Sequence, residues 1–88
     1  MKKKDNKLRR KRLLFRSWHR GTRELDLLLG SFAEYHLKKF STRQLIGYEE
    51  LLKHSDPDIY RWITKVEPVP KSIDNDILKL LQNFWKAI

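Results

Sequence analysis

Apolar side chains recur at steps of three and four residues along most of the chain, which is the spacing of one face of an α-helix. Two of these stripes are long. The first consists of Leu25, Leu28, Leu29, Phe32, His36 and Phe40. The second consists of Ile73, Ile77, Leu80, Leu81, Phe84 and Ile88. No segment alternates between apolar and polar residues as a half-buried strand does. The pattern therefore predicts an all-α fold, a single small domain formed by a bundle of about five helices.

Weaker stripes predict the three remaining helices. The first helix is expected from about residue 5 to residue 19, with an inward face made of Leu8, the stem of Lys11, Phe15 and Trp18. The third is expected to end near residue 54, with Ile46 and Leu51 flanking a buried set of Leu45, Tyr48 and Leu52. The fourth is short, and its expected anchors are Ile59, Trp62 and Ile63.

Glycine and a capping residue separate the first two helices. Gly21 suits the left-handed backbone position just past a helix end. Thr22 follows it as the expected N-cap of the second helix. Gly30 lies inside that helix, where glycine costs about 1 kcal/mol relative to alanine. Close passage of a neighbouring helix is one reason for a glycine at this position.

Polar residues also mark the starts of the later helices. Ser41 and Gln44 have the spacing of a capping box. Asp56 is the expected N-cap of the fourth helix, because Pro57 then occupies the first helical position. Ser72 is the expected N-cap of the last helix.

The composition limits the class of protein. The 88 residues include no cysteine, which excludes disulfides and thiolate metal sites. The longest apolar runs, such as residues 27–29, are far shorter than the roughly 20 residues that cross a bilayer. No apolar stretch follows the basic N-terminus as in a secretory signal. These features predict a soluble intracellular protein without membrane insertion.

The net charge of +9 is concentrated near the N-terminus. Residues 1–23 hold eleven Lys and Arg against one Asp, whereas residues 24–88 hold nine Lys and Arg against ten Asp and Glu. We therefore divide the chain into a basic flexible N-terminal lead, residues 1–7, and a helical domain, residues 8–88. Basic segments of this kind bind nucleic acid, anionic lipid or acidic protein surfaces. For residues 1–7 a solubilising tail is the favoured alternative.

The sequence lacks the patterns typical of an enzyme site. His19, His36 and His54 have no metal-ligand spacing in common. There is no glycine-rich phosphate loop, nucleophile elbow or HExxH motif. Glu49 and Glu50 are adjacent, so their carboxylates point apart on a helix. We expect neither an active site nor a metal or cofactor of the chain's own.

The segment from Arg20 to Glu24 has two interpretations. As a helix corner, Gly21 ends one helix, Arg20 complements its negative end, and Glu24 complements the positive start of the next. The local pattern alone favours this interpretation. It leaves unexplained why an aromatic and basic helix precedes the segment and why Asp-Pro-Asp followed by Trp comes some thirty residues later.

Two motifs together resemble the signatures of a known family. They are Arg20-Gly21-Thr22-Arg23-Glu24, which has the form Arg-Gly-x-x-Glu and continues to Asp26, and "DPDIYRW" at residues 56–62. The family consists of small assembly factors that promote covalent attachment of FAD to the flavoprotein subunit of succinate dehydrogenase. The resemblance covers about residues 7–85. Either motif alone is weak, but both in order in a five-helix chain of this length are specific.

The resemblance implies a five-helix domain without catalytic turnover of its own. Such a domain binds the flavoprotein subunit, which itself holds the FAD, and positions the subunit's histidine against the flavin. The flavoprotein of fumarate reductase is a second client that the sequence leaves open. The residues assigned to partner binding are Arg20, Gly21, Arg23, Glu24, Asp26, Asp56 and Asp58. For Asp56 and Asp58, helix capping is an equal alternative.

The resemblance also implies individual roles. Arg20 would engage carboxylates or backbone carbonyls of the partner, because its guanidinium suits bidentate contacts. Gly21 would let two backbones approach closely, and Glu24 would accept hydrogen bonds from the partner near the flavin site. We expect a monomer. We place it in a bacterial cytoplasm, since the basic lead is short, with the mitochondrial matrix as the second choice.

Two other functions remain open. The first is a small basic helical nucleic-acid-binding protein using residues 2–23, because a helix with the sequence "KLRRKRLLFRSW" can lie along phosphates. Against it, Phe15 and Trp18 share the expected inward face with Leu8 and are better used in packing. The second is a general helical adaptor without a flavin connection.

Overall fold

The computed structural model describes residues 2–73 and 75–87 and places five α-helices in them. They are α1 (Lys2–Trp18), α2 (Arg23–His36), α3 (Thr42–Leu51), α4 (Asp56–Ile63) and α5 (Asn75–Ala87). A short 3-10 helix (Leu37–Lys39) extends α2. The described ranges contain no strand, so the predicted all-α fold is confirmed. None of these helices is long and apolar enough to cross a membrane.

The predicted stripe of α2 forms the centre of the core. Leu25, Leu28, Leu29 and Phe32 are all at most 2% exposed. The ring of Phe32 lies 4.4 to 6.1 Å, between ring centroids, from four other rings, those of His36, Phe40, Tyr48 and Phe84. Because these rings come from α2, α3, α5 and the segment after the 3-10 helix, one phenylalanine joins most of the bundle.

The core residues expected from α3, α4 and α5 are largely confirmed. The buried members of the expected set are Leu45, Tyr48, Leu52, Ile59, Trp62, Ile63, Ile77 and Leu81. Leu78, which was not expected in the core, is also buried. Ile73, Leu80 and Phe84 are partly buried against this cluster. Leu51 was expected to flank the core but lies within it, and Ile46 is 44% exposed. Ile88, the last residue of the expected stripe, lies outside the described residues.

The inward face expected for α1 is wrong except at Trp18, which packs against α2. Leu8 and Phe15 are 51% and 64% exposed, whereas Leu13 and Ser17 are buried. The buried side also carries Arg10, which donates hydrogen bonds to the carbonyl oxygens of residues 37 and 40 at 2.8 and 2.9 Å. The apolar residues of α1 lie on both sides of the helix, and two of the inward residues, Arg10 and Ser17, are polar and bind groups on other elements. Hydrophobicity alone therefore does not identify the buried side.

Ser17 and Tyr48 form a buried hydrogen bond between α1 and α3. The Ser17 hydroxyl donates to the Leu13 carbonyl oxygen at 2.7 Å, and its oxygen lies 2.6 Å from the Tyr48 hydroxyl. Since Ser17 has one hydrogen to donate, Tyr48 is the donor in the second bond. Each polar group buried by this packing therefore has a partner, as burial requires.

Trp18 explains the glycine inside α2. A Cβ atom at Gly30 would lie 2.2 to 2.5 Å from the indole ring of Trp18. The close passage of another helix, predicted from the sequence, is therefore confirmed. The indole Nε1 donates to the Glu34 carboxylate one turn further along α2, at 3.1 Å.

The predicted helix starts are correct in part. Ser41 and Gln44 form the full capping box. Ser55, not Asp56, is the N-cap of α4, and its hydroxyl accepts from the Asp58 backbone N–H at 3.3 Å. The expected cap is wrong by one residue, because both Ser55 and Asp56 can cap and Pro57 fits the first or the second helical position.

Helix ends differ from the expected ones by a few residues. α1 begins at Lys2 rather than near residue 5, and α3 ends at Leu51. The division between a lead, residues 1–7, and a domain, residues 8–88, stays a prediction. Because α5 begins at Asn75, Ser72 lies too far upstream to be its N-cap.

α4 ends in a Schellman motif that holds a non-glycine residue in the left-handed region. Lys65 has a φ of 65°. The Val66 N–H donates to the Arg61 carbonyl oxygen at 2.9 Å, and the Lys65 N–H donates to the Trp62 carbonyl oxygen at 3.3 Å. These are the two bonds that define the motif, in which the left-handed position usually holds glycine.

Candidate partner interface at two helix corners

Arg20 connects the α1–α2 corner to the α3–α4 corner. Its Nε lies 2.8 Å from Asp56 Oδ1, and its Nη atoms donate to the carbonyl oxygens of Leu52 and His54 at 2.7 and 2.8 Å. The Arg20 and Asp56 side chains are only 14% and 20% exposed. The two carbonyls follow the end of α3, where backbone acceptors lack intrahelical donors and a cation is favoured. Arg20 therefore closes α3 and fixes the first residue of α4.

Asp26 holds the backbone of the first corner. One oxygen of its carboxylate accepts from the backbone N–H groups of Arg20 and Gly21 at 2.6 and 3.2 Å. Thr22 is the N-cap of α2, as predicted, but its side chain makes no capping hydrogen bond. The Asp26 side chain, from the first turn of α2, satisfies these two N–H groups before the helix.

Gly21 has the left-handed backbone expected of it, with a φ of 113°. A Cβ atom built there would meet nothing within 4 Å. Glycine is therefore favoured here by the backbone conformation, because the chain leaves enough space for a side chain at this position. The expected close approach of a partner backbone stays a prediction.

A groove of about 240 Å³ lies where the two signature motifs meet. It is lined by Thr22, Glu24, Leu25, Asp56, Pro57 and Tyr60. Tyr60 also packs edge-on against Trp85, with ring centroids 5.8 Å apart. Apolar atoms make up most of the lining, and we name this feature the corner groove.

Glu24 is exposed beside the corner groove. Within residues 2–73 and 75–87 no hydrogen bond or ion pair engages its carboxylate, whereas the carboxylate of Asp56 is bound to Arg20. The groove therefore presents one available carboxylate next to apolar walls. Such an arrangement can bind an apolar side chain and a neighbouring hydrogen-bond donor.

The predicted site residues fall into three groups. Glu24 and Asp56 line the corner groove, while Arg20, Gly21 and Asp26 form the corner that supports it. Arg23 is exposed at the start of α2. Asp58 does not line the groove and instead pairs with Arg61 at 2.9 Å. The two segments named from the sequence therefore meet in the structure, where their members have different structural tasks.

Two expected roles change. The guanidinium of Arg20 is occupied within the chain, so in this structure it positions the corners rather than presenting free donors to a partner. Asp56 and Asp58 were given a capping role as an alternative, but the cap is Ser55 and both carboxylates form ion pairs. Whether any of these residues contacts a partner stays a prediction.

Sequence reasoning missed the apolar wall of the groove. Tyr60 lies four residues after Asp56 and three after Pro57, so helical spacing alone places these side chains on one face of α4. That signal was available. The sequence gives no comparable signal for the contacts of Arg20 with the Leu52 and His54 carbonyls. Every residue has a backbone carbonyl, so the side-chain pattern does not mark these two as acceptors.

The described part of the chain shows no metal site. No three side chains of His, Cys, Asp or Glu lie together there in a group that could hold a metal ion. His36 lies at the edge of the core, and burial together with the nearby charge of Lys39 lowers its pKa.

Residues 11–85 match the family model described as "Flavinator of succinate dehydrogenase". A relative from Dictyostelium discoideum, named succinate dehydrogenase assembly factor 2, mitochondrial, is 47% identical over 77 residues, which are 88% of this chain and 55% of the relative. A relative from Drosophila yakuba, named assembly factor 2-A, mitochondrial, is 45% identical over 80 residues, 89% of this chain and 49% of the relative. A Drosophila ananassae relative, assembly factor 2-B, mitochondrial, is 42% identical over 81 residues, 90% of this chain and 50% of the relative.

The relatives correct one expectation. All three are named mitochondrial, which contradicts the bacterial cytoplasm expected from the short basic lead. The length of that lead is no guide to the compartment, because the chain spans about half the length of the curated relatives it matches. The match over residues 11–85 confirms the resemblance seen in the two motifs, and the chain belongs to the Flavinator of succinate dehydrogenase family.

Proposed function

We propose that this chain is a mitochondrial assembly factor for succinate dehydrogenase that binds the flavoprotein subunit and promotes covalent attachment of FAD to a histidine of that subunit. Family membership and the names of the relatives support the assembly role. The structural observation that carries the proposal is the corner groove, where the two signature motifs meet beside the available carboxylate of Glu24.

The corner groove suits recognition of a protein segment. Leu25, Pro57 and Tyr60 offer an apolar surface for one side chain of the partner. Glu24 accepts a hydrogen bond or ion pair from a donor next to that side chain. Once the partner covers the groove, the Glu24 carboxylate loses its water. A partner with a hydrogen-bond donor at this place then binds more tightly, and a partner without one binds more weakly. Arg23, exposed one residue earlier, is available for an acidic group of the partner.

The chain promotes flavin attachment by positioning. In this proposal both reacting groups, the FAD and the histidine, belong to the partner. Binding restrains the mobile part of the flavoprotein and holds its histidine close to the flavin. The entropy needed to bring the two groups together is therefore lost on binding and not in the reaction itself. Arg20, Asp26 and Asp56 contribute by holding the corner groove in shape before the partner arrives.

The test is Glu24→Gln, which preserves the shape of the side chain and removes its charge. The variant is expressed in cells that lack the wild-type factor. We measure the melting temperature of the purified variant and the covalent flavin fluorescence of the denatured flavoprotein subunit. We expect an unchanged fold and strongly reduced flavin attachment, because losing one charged member of a desolvated contact costs about 2–5 kcal/mol of binding.

Glu50→Gln is the matched control. Glu50 is exposed on α3 and forms only a surface pair with Lys53, so its loss should change neither fold nor flavin attachment. Full flavin attachment in cells with Glu24→Gln would refute the role of the groove. The same assay on the flavoprotein of fumarate reductase decides whether that protein is a second client.

A further inference from the structure

The outward face of α1 carries large apolar side chains in solvent. Leu8 and Phe15 are 51% and 64% exposed. They are seven residues apart, so they lie on the same side of the helix about 10 Å from each other. Ser17, which is fully buried, lies on the opposite side. The core therefore makes no use of these two side chains, although they are the most apolar residues on this face.

Cations surround this apolar pair. Lys7, Lys11 and Arg12 are exposed, and no salt bridge engages them within the described residues. Two further arginines of the helix, Arg9 and Arg16, share one carboxylate, that of Glu49, at 3.6 and 4.0 Å. Because two guanidinium groups share a single carboxylate, the edge of the helix that carries Arg9 and Arg16 also has a net positive charge. We name the surface formed by residues 7, 8, 11, 12, 15 and 16 the outer face of α1.

We propose that the outer face of α1 binds the surface of membranes that contain anionic phospholipids. The helix lies parallel to the membrane, Leu8 and Phe15 enter the boundary between head groups and acyl chains, and the cations remain at the head groups. Lys and Arg suit this arrangement because their stems cover apolar surface while their charges reach water or phosphate. Each cation near an anionic surface adds to the attraction.

Two features favour lipid over other anionic partners. A nucleic acid rewards phosphate contacts and aromatic stacking, but it gains little from an exposed leucine. A protein groove that binds a helix takes apolar anchors at successive turns. Here residues 11 and 12, on the turn between Leu8 and Phe15, are cations. An interface of mixed apolar and anionic character fits this order of residues.

The proposal is independent of the corner groove. None of the residues on the outer face of α1 lines that groove. Failure of membrane binding would therefore leave the proposed role in flavin attachment unaffected, and the reverse also holds.

The absence of cysteine allows a direct test on the full chain. Leu8→Cys provides one site for a fluorophore that reports the polarity of its surroundings, and Val66→Cys, at an exposed position after α4, is the control. Each labelled protein is mixed with vesicles of phosphatidylcholine alone or of phosphatidylcholine with phosphatidylglycerol. We expect a blue-shifted emission from position 8 with the anionic vesicles only, reversed by added salt. An equal response at position 66, or with neutral vesicles, would overturn the proposal.

Unlabelled variants test the two parts of the surface. Phe15→Ser removes an apolar anchor, and the double variant Lys11→Glu with Arg12→Glu reverses two charges. In vesicle sedimentation we expect each to lower the affinity by about tenfold or more. Val66→Ser and Lys79→Glu are controls for exposed residues elsewhere. Circular dichroism verifies the fold of every variant. Wild-type vesicle affinity in Phe15→Ser would overturn the proposed insertion of the apolar side chains. Binding to single-stranded RNA without binding to vesicles would reject the lipid and favour the nucleic-acid alternative.

Discussion

Arg20 and Asp56 form an ion pair of 2.8 Å across 36 residues of sequence, and each belongs to one of the two signature motifs. The pair joins the α1–α2 corner to the α3–α4 corner, and the candidate site lies between these two corners. Arg20 closes the end of α3, orients the start of α4, and thereby sets the distance between Glu24 and Tyr60 across the groove. The two interpretations of the segment from Arg20 to Glu24 are therefore compatible, because the corner is what supports the site.

Replacing Arg20 with alanine should destabilise the fold strongly. The substitution leaves a mostly buried Asp56 and two carbonyls without their donor, and breaking a buried pair in this way costs about 3–5 kcal/mol. Urea unfolding measures the change. Arg43→Ala, an exposed arginine at the start of α3, is the control and should cost under about 0.5 kcal/mol. Because the two side chains interact, Arg20→Ala and Asp56→Ala should cost less together than the sum of the single variants.

Gly30→Ala should be destabilising although alanine is the better helix former. Alanine gains about 1 kcal/mol of helix propensity. Its methyl group, however, would overlap the Trp18 ring, and overpacking of this kind typically costs about 1–3 kcal/mol. In a Trp18→Ala background the space is free, so there Gly30→Ala should stabilise instead. The same sign in both backgrounds would show that Trp18 does not explain the glycine.

Lys65→Gly should stabilise the protein by about 1 kcal/mol, since a side chain in the left-handed region is disfavoured by about that amount. The two Schellman hydrogen bonds use backbone atoms only and remain in the variant. Thermal or urea unfolding measures the gain. Lys71→Gly adds a glycine at another exposed turn without this conformational reason, so a similar gain there would argue against the explanation.

Alkaline pH should weaken the fold through Tyr48. Burial raises the pKa of its phenol well above the ordinary value of 10.0, and the Ser17 hydrogen bond and the Arg20 charge oppose this less strongly. The unfolded chain therefore loses the proton first. The contribution of Tyr48 to the free energy of unfolding is fully present below about pH 10. It declines by up to about 1.4 kcal/mol per pH unit as the pH rises toward the pKa of Tyr48 in the folded protein.

Urea unfolding between about pH 8 and about pH 11 measures this decline. Tyr48→Phe should reduce the slope, because phenylalanine has no proton to lose. Tyr35 is 57% exposed, so Tyr35→Phe should leave the slope unchanged. Equal slopes in wild type and Tyr48→Phe would mean that other groups cause the alkaline loss.

Sequence reasoning succeeded where packing follows hydrophobicity. The stripe of α2 lies in the core as predicted, and the capping box at Ser41 rests on local spacing that needs no distant partner. It failed on α1, where Arg10 and Ser17 face inward because carbonyls and a phenol from other elements receive them. The sequence of a single helix does not reveal such partners, so Leu8 and Phe15 were chosen for the buried side in place of Arg10 and Ser17.

The candidate site shows the same limit. Both motifs were identified from the sequence, and the structure brings them together at one groove. The task of Arg20 was not predictable, since its acceptors include two backbone carbonyls at the end of a helix some thirty residues away. Exposure of Phe15 also removes the packing argument that weighed against a ligand-binding role for α1.

The long sequence separation across the Arg20–Asp56 pair has a consequence for the order of assembly. α1 and α2 pack through residues close in sequence, such as Trp18 and Gly30, whereas the ion pair must close a much longer loop at a greater entropic cost. We therefore expect the hairpin of α1 and α2 to form early in folding and the groove to form late. Local opening at the corners would remove the groove while most helical hydrogen bonds persist. Amide exchange near Asp56 would detect such opened molecules, whereas total helix content would not.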